Sequence, residues 1–254
     1  MTRNIIFKKI TFNNLNYKNF DKFIIKKGLF VFPAGPALVN IEKSKKYYES
    51  IKKADLVFFD SGFFVLLLKI FKNVGVDKFS GYKFLRLFFD YLKKNKKKKV
   101  FCIDQNLKFS KSNKIFLKNL GWKKVYNYLA PEYDIDNLFD KKLLNLIKKA
   151  KPNFILTNIG GGKQEVLGFY LKKNLKFNTT ILCTGGAISF FTRDQAPINT
   201  LIDELYLGWF LRLIFNPLVF FKRYLYGLRL IPMVIFNKIK IVKWFEIKYK
   251  MYSL

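Results

Sequence analysis

From residue 29 to residue 183 the chain alternates short apolar runs with longer stretches in which apolar residues recur every three or four positions. The short runs, 29–32, 55–59, 100–103, 125–128, 154–159 and 180–183, read as strands. Between them, spacing such as Phe84, Leu85, Phe88, Phe89 and Leu92 is that of an amphipathic helix. Strand and helix in alternation predict an α/β fold, a Rossmann-like, mainly parallel sheet flanked by helices.

After Pro197 the pattern changes. Residues 205–236 are dominated by Leu, Phe, Tyr, Trp and Ile, yet Arg212, Asn216, Pro217, Lys222, Arg223, Arg229 and Pro232 interrupt them, so no window is long enough to span a bilayer. A stretch both aromatic and basic suits helices lying in a lipid interface. Trp209, Tyr224 and Tyr226 would sit near the headgroups, and Arg212, Arg223 and Arg229 on phosphates. The competing reading is a helical layer packed on the sheet. The expected organisation is therefore a Rossmann-like domain over 1–200 and a basic, amphipathic helical appendage over 201–254. Residues 1–10 are basic but lack the apolar stretch and cleavage site of a signal peptide, which favours a cytoplasmic start.

Composition sharpens this picture. At 254 residues, 50% hydrophobic and 26% charged, the chain can bury a sizeable core and reads as neither disordered nor polytopic in a membrane. Its 48 Lys+Arg against 17 Asp+Glu give a net charge of +31, so nucleic acid, anionic lipid and nucleotide diphosphates all qualify as partners. An AT-rich coding sequence would also enrich Lys, Asn, Ile, Phe and Tyr, which weakens charge as evidence. The lysine-rich segment 93–99 reads as a solvated helix end and turn, with nucleic-acid binding as the minor reading. The absence of histidine removes Ser-His-Asp and Cys-His catalysis and His-containing zinc sites, leaving acid–base work to carboxylates, Lys or Tyr. Cys102 and Cys183 lie far apart, form no CxxC, and read as buried strand residues.

Three segments could carry chemistry. In Asn158-Ile159-Gly160-Gly161-Gly162-Lys163-Gln164-Glu165 a strand runs into three glycines and then a helix, a turn whose backbone N–H groups can cradle a pyrophosphate. It is not a Walker A loop, because Thr157 stands where a glycine is required and Gln164 follows Lys163. The dinucleotide fingerprint fails at Glu165. A second loop, Thr184-Gly185-Gly186-Ala187, follows another strand and would open at the same carboxyl edge, which strengthens the case for a nucleotide site. Finally, the strand 55–59 ends in Asp60-Ser61-Gly62, where an α/β enzyme would keep a general base. Tight turns and a helix cap are the plain structural readings of these segments.

Taken in order over roughly residues 30–225, these segments resemble the WecG/TagA/CpsF family of bacterial glycosyltransferases. Ala54-Asp55-Leu56 with Asp60-Ser61-Gly62, Phe79-Ser80-Gly81-Tyr82, Gly160 to Glu165, Thr184 to Phe190, Ala196-Pro197 and Gly208-Trp209-Phe210-Leu211-Arg212-Leu213 with Pro217 and Arg223-Tyr224 are similar to its successive motifs. Where the family has Arg, Asp, Pro, Asp, Arg and Glu, this chain has Lys78, Lys83, Gly162, Ser189, Gln195 and Gly208. Asp60, Lys163, Gln164, Glu165, Trp209, Arg212 and Arg223 match.

The resemblance implies an inverting, metal-independent transfer of N-acetylmannosamine, its uronic acid or a similar sugar. The donor is a UDP-sugar and the acceptor is undecaprenyl-diphosphate-linked. Asp60 would be the base. Gly160, Gly161, Gly162, Lys163, Gly185 and Gly186 would bind nucleotide and diphosphate, and Ser61, Gly62, Gly81, Gln164 and Glu165 the substrates. Trp209, Arg212, Arg223 and Arg229 would meet membrane and acceptor diphosphate. No cofactor or metal is expected. The enzyme would work in the cytoplasm on the inner face of the membrane, an anionic surface, and the apolar tail could also pair copies of the chain. Two other readings stay open: a basic α/β binding module without chemistry, and an inactive paralogue of an active transferase.

Overall fold

The computed structural model describes residues 3–15, 20–195, 203 and 208–243; within these, the side chains of residues 22, 209, 219 and 243 are not described. Six strands form one all-parallel sheet in the order β4-β3-β8-β7-β5-β6. They are β3 (Gly28–Val31), β4 (Leu56–Val57), β5 (Val100–Asp104), β6 (Val125–Leu129), β7 (Phe154–Asn158) and β8 (Thr180–Cys183). Each coincides with one of the six apolar runs. Every residue of β5, β7 and β8 is buried, as central strands covered on both faces must be. Cys102 and Cys183 are among them, both free thiols.

One face of the sheet packs against α3 (Lys45–Lys52), α4 (Gly62–Lys72), α7 (Lys141–Ala150) and α8 (Lys163–Asn174). The other packs against α1 (Phe20–Ile24), α5 (Gly81–Lys94) and α6 (Leu107–Asn119), where Phe84, Leu85, Phe88, Phe89 and Leu92 of α5 are all buried. Helix starts follow local chemistry: Ser44, Ser61, Ser80, Asn106 and Asp140 each accept the N–H three residues on, capping α3, α4, α5, α6 and α7. Gly168 lets α8 lie directly on the sheet, since a Cβ there would come within 2.6 Å of Leu29 Cδ1 and 2.8 Å of Cys183 Sγ. The lysine segment after α5 forms its C-terminal end and a turn into β5.

A second, three-stranded sheet, β2-β1-β9, was not legible in the sequence. Its strands β1 (Arg3–Phe7) and β2 (Ile10–Phe12) form a hairpin, and β9 (Ile239–Lys243) pairs antiparallel with β1 from the other end of the chain. The short α2 (Gly35–Leu38) packs against two of three C-terminal helices, α10 (Pro217–Gly227) and α11 (Leu230–Phe236), and α9 (Gly208–Phe215) packs on α10. Leu230, Met233 and Val234 of α11 are buried in the core that α4 shares. Tyr226 at the end of α10 donates its hydroxyl to Asn40 Oδ1 at 2.8 Å. The expected domain boundary at residue 200 lies outside the described residues, as does the Ala196-Pro197 motif. No helix among the described residues is long and apolar enough to cross a membrane.

Candidate functional site

Residues Phe58 and Phe59 fix the approach to Asp60. Phe58 stacks on Phe32 at 4.5 Å on one face of the sheet, while Phe59 packs into the core of the other. Asp60 is thereby presented at the carboxyl edge, where its Oδ1 accepts the Gly81 N–H at 2.7 Å. Asp60 as a residue is partly exposed, while its carboxyl is closely surrounded by protein. Burial raises its pKa above the usual carboxylate value, opposed by the Gly81 N–H and the Arg212 and Lys78 charges. Lys78 is itself anchored: its Nζ meets Asp203 Oδ1 at 2.7 Å, and Ser80 Oγ donates to the other Asp203 oxygen at 2.8 Å. Ser61 accepts the Phe64 N–H as the cap of α4, and Gly62 is that helix's first residue.

The glycine loop joins β7 to α8. Gly162 has φ +95°, which only glycine adopts readily, and its N–H donates to Glu165 Oε2 at 2.7 Å. Gln164 holds three partners: Oε1 accepts the Gly185 N–H at 2.7 Å and the Thr157 hydroxyl at 3.4 Å, and Nε2 donates to Glu165 Oε1 at 3.0 Å. These contacts clamp the two glycine loops together. Two N–H groups of the expected cradle, those of Gly162 and Gly185, are thus held by side chains of the protein. Gln164 and Glu165, 3% and 0% exposed, lie beneath the loops. Burial pushes the Glu165 carboxyl up to about 7, against the hydrogen bonds it accepts.

The glycine loop borders a crevice. Strand β5 leads to a helix on one face and its neighbour β7 to a helix on the other, the arrangement that opens a crevice at a carboxyl edge. That crevice, about 230 Å³, is lined by Gln105, Glu132, Tyr133, Gly160, Gly161 and Lys163 among others. Lys163 pairs with Glu132 at its mouth. On the other side, toward β8 and β3, stand Asp60, Gly81, Thr184 and Gly185.

Helices α9 and α10 bring arginines to this edge of the sheet. An ideal Cβ on Gly161 would lie 3.9 Å from Arg223 Nη2, so the guanidinium borders the glycine loop. Burial and the like charge of Arg212 lower the Arg223 pKa, opposed by Tyr224, Glu165 and Asp60. Arg212 lies over the Phe190 ring at 4.8 Å, whereas Arg229 lies over Tyr226 at 5.1 Å. Gln195 Nε2 would be 2.9 Å from a Cβ on Gly186, so this amide covers the second loop. The Trp209 side chain lies outside what is described.

Sequence reasoning missed Gln105, Glu132 and Tyr133, although all three follow strands at the same edge. It also missed Asp203, and Tyr47, whose buried hydroxyl lacks a protein partner and feels the charges of Glu165, Arg223 and Asp60.

A scan of family models matches residues 4–243 to the glycosyl transferase WecG/TagA/CpsF family. No curated protein matches the chain.

Proposed function

Since the chain belongs to the WecG/TagA/CpsF family and is thus a glycosyltransferase of cell-surface polysaccharide biosynthesis, we propose that it moves a sugar from a UDP-sugar to a polyprenyl-diphosphate-linked acceptor, with inversion. The Asp60 carboxylate carries this reading. It stands at the carboxyl edge, fixed by the Gly81 N–H and within electrostatic reach of Arg212 and Lys78. Burial makes it more basic than an ordinary carboxylate, and the cationic neighbours favour its ionised form.

In this reading the nucleoside enters the crevice beside Gln105 and Tyr133, and the diphosphate lies over Gly160 and Gly161. Arg223 and the N-terminus of α8 face it there. Asp60 takes the proton from the acceptor hydroxyl as the oxygen attacks the anomeric carbon. The bond to the UDP oxygen breaks on the opposite side, and arginine guanidinium groups and Lys163 stabilise the departing charge. Gln164 and Glu165 act by position, holding the loops.

Helices α9 and α10 bring the arginines to this edge of the sheet while leaving Ile214, Phe215, Leu218 and Phe221 exposed. That pairing supports work at the inner face of the cytoplasmic membrane, where a lipid-linked acceptor would be presented. The test is UDP release from a panel of UDP-sugars with and without a short-chain polyprenyl-diphosphate-GlcNAc. Release that depends on the acceptor supports the reading, and none with any donor contradicts it.

A further inference from the structure

Thr184 follows β8 at the carboxyl edge, and none of the roles above uses its side chain. It is 7% exposed and its Oγ1 has no protein partner. Its neighbours differ: the hydroxyls of Thr157, Thr179, Thr180 and Thr192 all donate hydrogen bonds within the protein. A buried hydroxyl left unpaired is costly and calls for an explanation.

The position of this hydroxyl supplies one. An ideal Cβ on Gly81 would lie 3.6 Å from Thr184 Cβ and 3.4 Å from its carbonyl oxygen, so Thr184 packs against the residue whose N–H fixes Asp60. On its other side, Gly185 is held by Gln164. In an inverting displacement the base and the leaving diphosphate lie on opposite sides of the anomeric carbon. A group packed beside the base's own anchor lies on the base's side of that carbon, next to where the sugar would bind. Phosphate oxygens only accept hydrogen bonds, whereas a sugar hydroxyl both donates and accepts, as a threonine hydroxyl does.

We propose that the Thr184 hydroxyl binds a polar substituent of the transferred sugar and takes part in donor selection. This rests on the glycosyl-transfer reading above. The experiment compares full-length wild type with Thr184→Val, which keeps the shape and removes the hydroxyl, and Thr184→Ser, which keeps the hydroxyl. Thr184→Ala serves as a second hydroxyl-free variant should the valine protein not fold. UDP and the UDP-sugars of the panel, with the short-chain polyprenyl-diphosphate-GlcNAc acceptor, are the probes, and kcat/KM, the UDP Kd and Tm the readouts.

Thr184→Val is expected to lose roughly three- to tenfold in kcat/KM while its UDP Kd stays within about twofold. Its Tm should equal or exceed that of wild type, because an unpaired polar group has been removed. Thr184→Ser should stay near wild type. Unchanged kcat/KM in Thr184→Val would overturn the proposal, and so would an equal loss of UDP affinity, which would mark a phosphate contact. A wild type that binds UDP but turns over no UDP-sugar of the panel would contradict the glycosyl-transfer reading on which the proposal rests, whatever the variants do.

Discussion

Glu165 shows how a residue can belong to a site without touching what the site binds. It is fully buried, accepts the Gly162 N–H and the Gln164 amide, and has its carboxyl pushed up to about 7 from an ordinary 4.5. Between those values the folded protein holds a proton that the unfolded chain has released. The stability from this group is therefore full below the unfolded value and is lost as pH rises through about 7. At about 1.4 kcal/mol per pH unit, the loss approaches about 3 kcal/mol. Thermal unfolding between about pH 5 and pH 8 should show Tm falling with pH in wild type and a much flatter profile in Glu165→Gln. An equal slope in the variant would assign the titration to another group. The sequence could place Glu165 at a helix N-terminus after glycines. It could not show that Gln164 reaches the Gly185 N–H, 21 positions away, while Glu165 holds that of Gly162. Which N–H groups face a ligand is set by tertiary contacts that local pattern does not encode.

At the scale of elements, the six parallel strands were legible because each is a short apolar run, and β5, β7 and β8 are buried along their whole length. The small sheet was not, because its existence depends on Ile5 lying opposite Ile241, a pairing no local window contains. Helix α10 shows the same divide. Its aromatic and basic composition was plain, but that it carries Arg223 to within reach of Gly161 follows from how it packs on α2. If Arg223 faces the diphosphate, Arg223→Ala should weaken UDP binding by roughly 10- to 100-fold, the worth of a charge-assisted hydrogen bond in a dense site. Arg229→Ala should change it little, since Arg229 lies against Tyr226 instead. Isothermal titration of UDP into the three proteins checks both statements, and a larger loss at Arg229 would reverse the assignment.

For the whole molecule, the C-terminal segment has two duties that a truncation would confuse. Removing it would strip β9 from β1 and take Leu230, Met233 and Val234 out of the core, so lost activity would report unfolding as readily as lost membrane contact. Point changes on the outer surface separate the two. Leu218 and Phe221 are 87% and 56% exposed, so Leu218→Ser with Phe221→Ser should leave Tm almost unchanged. The same pair should reduce sedimentation with anionic lipid vesicles by roughly tenfold or more. Undiminished vesicle binding would move the contact to another surface of this protein of net charge +31.

Asp60 as the acceptor's base is the claim on which the rest depends. The most direct measurement is acceptor-dependent UDP release by wild type beside Asp60→Asn, with UDP affinity measured on the same samples. The side chain keeps its size and its acceptor for the Gly81 N–H but loses its basicity. Turnover should fall by roughly 10²- to 10⁴-fold while UDP affinity is retained. A folded Asp60→Asn protein that turns over at close to the wild-type rate would contradict the account.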